Sequence, residues 1–157
     1  MYGLQINNDM KNMIFLVFSV IILMVVYAYA NPKVDFNVDP QDGIQFHDGS
    51  WEEALQIAKR DNKLIFLDIY ATWCGPCKLL KKNTFSNDKV GAYYNSHFVN
   101  VALDGERGDG AMLAQKLRLS SYPSLYFIDG DGNVVGQTGG YHNPDALLAL
   151  GKRFEKL

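Results

Sequence analysis

A chain of 157 residues that is 48% hydrophobic, 20% charged and 13% aromatic holds core material for one compact domain without structural disulfides. Its formal net charge is −2, and no basic stripe interleaved with aromatics runs through it, so nucleic acid is excluded as an expected partner. Three scattered histidines and two cysteines fall short of a zinc-ligand pattern, so no metal is expected.

Residues 1–30 stand apart from the rest. Ile14 to Val26 is apolar apart from Ser19, Lys11 lies just upstream, and Tyr27-Ala28-Tyr29-Ala30 offers an Ala-x-Ala cleavage pattern after Ala30. The stretch reads as a signal peptide. The rival reading is an uncleaved membrane anchor over Met13 to Ala30, barely long enough to span. With Lys11 on the inner side, either reading puts the remainder outside the cytoplasm, in a periplasm or otherwise exported. Residues 31–42 are polar with two prolines and read as an extended arm, leaving 43–157 to fold.

Gly43 to Phe46 is a weakly marked first strand. Ser50 and Glu53 have the spacing of a capping box, and Trp51, Ala54, Leu55 and Ala58 recur at helical spacing, which predicts a helix to about Asn62. Leu64 to Tyr70 is apolar on both faces, as a central strand covered by two helix layers should be. Asp68 is the exception. A carboxylate there loses hydration and has a raised pKa unless it is paired; the plain alternative is an acid satisfied by a buried hydrogen bond.

Directly after this strand comes Thr72-Trp73-Cys74-Gly75-Pro76-Cys77, followed by an amphipathic stretch to about Phe85. A Cys-x-x-Cys between strand and helix sets the first sulfur at a helix N-terminus. Unpaired N–H groups and the positive end of the helix dipole favour a thiolate there. Pro76 suits an early helical position and stiffens the turn. The second sulfur is near enough to close a small ring, so the pair can alternate between dithiol and disulfide. A purely structural disulfide is disfavoured, because so short a loop constrains little of the unfolded chain. A zinc knuckle needs ligands that His47, His97 and His142, scattered singly, do not supply. Lys78, Lys81 and Lys82 share one solvated face.

Asp88 to Tyr94 reads as a short helix and Phe98 to Leu103 as a strand. The glycines at 105, 108 and 110 do not match a dinucleotide fingerprint, and Asp104, Glu106 and Asp109 would repel phosphate. The loop 104–110 therefore reads as a flexible connection, with a helix over Ala111 to Leu117. Pro123 precedes a strand, Leu125 to Ile128. Asp129 to Asn133 lacks the glycine and glutamate of a calcium loop and reads as a hairpin turn into Val134 to Gln137. Gly139-Gly140 marks a bulge or close approach, and Asn143-Pro144-Asp145 starts a last helix to about Phe154.

Trp73-Cys74-Gly75-Pro76-Cys77-Lys78 resembles the active site of thioredoxin-fold disulfide oxidoreductases, and the order of elements over 43–157 is similar to theirs. Asn83 to Val90 is closer to the exported C-terminal domain of bacterial transmembrane thiol-disulfide interchange proteins and their free-standing relatives. The resemblance implies an α/β thioredoxin fold, a central mixed sheet of about five strands with helices on both faces. It implies Cys74 and Cys77 as the redox pair, Asp68 as a buried acid behind the second cysteine, and Pro123 as a cis-proline facing the pair. Gly75 and Pro76 support the turn, while Trp73, Tyr122, Pro123 and Gly140 would meet the substrate. No cofactor beyond the Cys74–Cys77 disulfide is implied. Implied partners are disulfide-containing client proteins and a membrane thiol electron donor, with the chain itself a monomer. Asn100 stands where cytoplasmic thioredoxins usually carry a lysine, and Tyr122 stands where an aliphatic residue is common. The expected activity is reduction of protein disulfides outside the cytoplasm. Net oxidation or isomerisation, and a redox-sensing binding module or holdase without turnover, are the alternatives.

Overall fold

A computed structural model describes residues 7–30 and 43–155 of the chain; the expected arm at 31–42 lies outside the described residues. The chain divides into two units, and the described part of the first holds one helix, α1 (Asn8–Ala30). Its stretch Asn8–Tyr27 is long and apolar enough to cross a membrane by length and composition, about 30 Å at the helical rise per residue.

Among the described residues the second unit has four strands, β1 (Leu64–Tyr70), β2 (Phe98–Asp104), β3 (Ser124–Ile128) and β4 (Val134–Gly139), in the order β2-β1-β3-β4. β1 runs parallel to β2 and antiparallel to β3, and β4 is antiparallel to β3, so the sheet is mixed. The fifth strand expected at Gly43–Phe46 does not form. Its backbone donors go to scattered partners instead: Ile44 N–H to Phe85 O at 2.8 Å, Gln45 N–H to Asn95 Oδ1 at 2.8 Å, and nearby His47 N–H to Asn100 O at 2.8 Å. No single strand offers these acceptors in register.

Strand alternation divides the core in two. On one face Ile65, Leu67, Ile69, Val99, Val101, Tyr126 and Ile128 pack against α2 (Trp51–Asp61) and Leu113 of α5 (Gly108–Lys116). On the other, Phe66, Phe98, Leu125 and Phe127 meet α3 (Gly75–Leu79), α4 (Asp88–His97) and α6 (Pro144–Phe154). Phe127 anchors this second face, its ring stacked on Phe154 at 4.5 Å and edge-on to Phe98 at 5.3 Å. Helices thus cover both faces, as the apolar run of β1 requires.

The helix signals in the sequence have direct counterparts. Ser50 Oγ accepts from Glu53 N–H and Glu53 Oε2 accepts from Ser50 N–H, closing the capping box, and Asn62 ends α2 with φ +50°. Asn143 Oδ1 caps α6 by accepting from Ala146 N–H at 2.9 Å. Two helices are longer than expected. α4 runs on to His97, and α5 begins at Gly108, because the preceding loop is already ordered by its own bonds.

Candidate active site

The cysteine pair sits where β1 gives way to a helix. Cys74 N–H donates to Ala71 O at 3.0 Å, turning the chain, and Cys74 itself is the N-cap with φ −70° and ψ 115°. Its Sγ accepts from Cys77 N–H at 3.1 Å, and Pro76 occupies an early helical position where no amide donor is needed. Cys74 and Cys77 are joined as a disulfide, with their Cα atoms 5.3 Å apart. Both are buried, Cys77 completely and Cys74 at 3% exposure, so Cys74 is the member of the pair that keeps any contact with solvent.

α3 does not stop at Leu79. It widens into a π-helical turn over Leu80–Phe85, which brings Leu80, Thr84 and Phe85 to the inner face together. Thr84 Oγ1 donates to His142 O at 2.7 Å, and Phe85 O accepts from Ile44. The helix carrying the cysteines is thereby tied to the loop before α6. The sequence gives no sign of this, since Thr84 and His142 lie far apart in it.

Asp68 lies on β1 beside Ala102 of β2 and Leu125 of β3. Alternation puts it on the face of Phe66, the face that also holds Cys74 and Cys77. It is fully buried, and among the described residues neither carboxylate oxygen has a hydrogen-bond partner. Loss of hydration pushes its pKa up to about 8. The satisfied-acid alternative is therefore not what the side chain does. Asn100 stands on the same face of β2, in register with Phe66, and turns its amide to Asn95 Oδ1 at 3.1 Å and Gln45 O at 3.4 Å. It supplies no charge to Asp68.

The Tyr122–Pro123 peptide bond is cis. Pro123 O accepts from Gly140 N–H at 3.0 Å, so Gly140 is joined to the proline that opens β3. Gly140 has φ +80°, a backbone region that suits glycine. Of the bulge or close approach expected at Gly139-Gly140, the structure has the close approach to Pro123 O, and the register shift falls between Phe127 and Ile128.

The loop read as a flexible connection is a built wall. Gly105 N–H donates to Tyr70 O at 2.8 Å, Glu106 N–H to Asp104 Oδ1 at 3.0 Å, and Arg107 N–H to Asp104 O at 3.0 Å. A side chain on Gly105 would strike the Tyr122 ring, so the glycine lets that ring lie flush against the loop. Trp73, 63% exposed, donates from its Nε1 to Glu106 Oε1 at 2.9 Å and meets the Tyr122 ring edge-on at 5.9 Å. Glu106, read from the sequence only as one of the loop acids that would repel phosphate, was not expected beside the cysteines. Among the described residues no group of three His, Cys, Asp or Glu is placed to hold a metal; His97 faces Glu155 at 3.3 Å and His142 faces Gly140 O at 3.1 Å.

Residues 51–155 match the family model of the thioredoxin-like domain, two thirds of the chain. The chain belongs to the thioredoxin-like family. Among solved structures, a candidate disulphide-isomerase from Bacteroides thetaiotaomicron is 43% identical with a TM-score of 0.62, covering 71% of this chain and 94% of that one. An oxidoreductase named DsbH is 21% identical with a TM-score of 0.65, covering 83% and 99%, and supports the thioredoxin-like fold alone. The thiol:disulfide interchange protein DsbD of Yersinia pestis is 32% identical over 80 residues, half of this chain but only 13% of that protein's length. Family and disulfide-bonded Cys-x-x-Cys together make this thioredoxin-like chain a member of the thiol-disulfide oxidoreductases.

Proposed function

We propose that the chain reduces protein disulfides outside the cytoplasm by a dithiol–disulfide cycle at Cys74 and Cys77. The observation that carries this reading is the unpaired, fully buried Asp68 on the sheet face that holds the cysteines. In the reduced protein, Cys74 as thiolate attacks a client disulfide, forms a mixed disulfide and releases one client thiolate, which takes a proton from water. Asp68, whose carboxyl titrates near 8, accepts the Cys77 proton through water when it is in its ionised form. The Cys77 sulfur attacks Cys74, the Cys74–client bond breaks, and the second client thiolate leaves and is protonated. Two electrons pass from the dithiol to the client, and the Cys74–Cys77 disulfide is the oxidised product.

Gly-Pro between the cysteines resembles the thioredoxin dipeptide. The two extremes of poise for such pairs are about −270 mV for thioredoxin and about −120 mV for strong disulfide oxidants. A reductant in an oxidising compartment needs a thiol donor, for which we assign a membrane dithiol protein. The apolar helix α1 supports export, as a signal or as an anchor. The name of the 43% identical relative favours isomerisation as the second reading. A redox titration separates the two: a potential near the thioredoxin end supports reduction, and one near the oxidant end overturns it. For a holdase without turnover, Cys74→Ser would leave activity on clients intact; the proposed cycle requires that it be abolished.

A further inference from the structure

Beside the cysteines the structure holds an arrangement that the dithiol cycle itself does not use. Trp73 and Tyr122 meet edge-on at 82°, and Trp73 keeps 63% of its surface exposed. The Glu106 carboxylate sits at the indole edge, and among the described residues no cation lies within ion-pairing distance of it. Asp104, by contrast, is engaged by Arg107 at 3.7 Å. The negative field of Glu106 and Asp104 reaches the Tyr122 hydroxyl and adds to burial in raising its pKa. Two rings near a right angle with an unneutralised carboxylate on one rim are the elements of a cation-accepting site.

We propose that Trp73, Tyr122 and Glu106 form a cation-accepting corner that makes the enzyme prefer clients with a lysine or arginine next to the attacked disulfide. The proposal deepens the function above and rests on it. Trp73 adjoins Cys74 and Tyr122 precedes the cis-proline, so a client chain crossing this point sets the residue flanking its own cysteine against these rings. An ammonium or guanidinium there gains the exposed indole of Trp73 and the Glu106 charge together. A glutamate there meets like charge. A purely structural role for Glu106, holding the exposed indole in place, is the competing explanation. It needs only an acceptor oxygen, which glutamine also offers.

The test uses the reduced full chain in a non-denaturing detergent and two disulfide-linked peptides differing only by lysine or glutamate beside the cysteine. The expected ratio of kcat/KM, lysine over glutamate, is about five- to tenfold at low salt. It should fall toward one in 0.5 M salt, a readout on the unmodified chain that needs no variant to fold. Glu106→Gln, which keeps the acceptor for Trp73 Nε1, should also bring the ratio toward one while Trp73 fluorescence stays as in the parent. A parent ratio near one, or a ratio unmoved by both salt and Glu106→Gln, overturns the corner and leaves the dithiol cycle standing. No turnover of either peptide, with Cys74 no more reactive than an ordinary thiol, overturns the cycle and the corner together.

Discussion

Replacing Asp68 with asparagine should stabilise the fold, and the gain should grow with pH. In the folded chain the carboxyl is buried without a partner and titrates near 8; in the unfolded chain it titrates near the ordinary value of about 4. Between those values the folded state holds a proton that the unfolded state has released. Stability therefore falls as pH rises through this window and levels off above it. Each pH unit inside the window costs about 1.4 kcal/mol, so the penalty is on the order of a few kcal/mol at pH 7 and on the order of 1 kcal/mol at pH 5. Asparagine is nearly isosteric and never charges, so the difference between the two proteins should trace that curve. Urea unfolding of the oxidised chain in detergent at pH 5, 7 and 8.5 measures it. A variant less stable than the parent, or a gap that does not change with pH, would refute the reasoning. In the reduced protein the same change should slow release of the client, because asparagine cannot take the Cys77 proton.

Cys77→Ser should accumulate client proteins as mixed disulfides on Cys74, visible on non-reducing gels and dissolved by added thiol; absence of such species contradicts the order of attack. Ser50→Ala removes the acceptor of Glu53 N–H and should cost about 1 kcal/mol in urea unfolding, whereas Ser50→Asn should restore most of it. Gly110→Ala would drive a Cβ into the Asp104 carbonyl oxygen and should destabilise by about 3 kcal/mol. Because that clash lies at the base of the 104–110 wall, the substitution should also shift Trp73 fluorescence.

What could be read in advance was local. Cys74, Gly75, Pro76 and Cys77 declare their turn by spacing alone, and Ser50 with Glu53 closes a box within one helical turn. Asp68 stood out because an acid in an otherwise apolar strand has few uses. The unreadable parts join residues far apart in sequence. Glu106 reaches Trp73 across 33 positions, from a glycine-rich polar loop whose composition argued for mobility. Its order comes from backbone bonds to Tyr70 O and Asp104 O, which leave no mark on residue type, together with the Asp104 carboxylate that accepts from Glu106 N–H. Gly43 to Phe46 has a strand's composition, but whether a segment pairs is decided by which acceptors the finished fold brings near. The π-helical turn after Leu79 is equally silent, since it depends on Thr84 and Phe85 finding partners in other segments.

The central claim is that the sulfur of Cys74, at the start of a helix, is ionised and reachable near neutral pH when the pair is reduced. The rate of Cys74 alkylation by iodoacetamide as a function of pH tests it most directly, since Cys77 is fully buried. The account predicts a rate that reaches half its plateau well below the value of about 8.5 typical of a free cysteine. A rate that rises only around that ordinary value would contradict it.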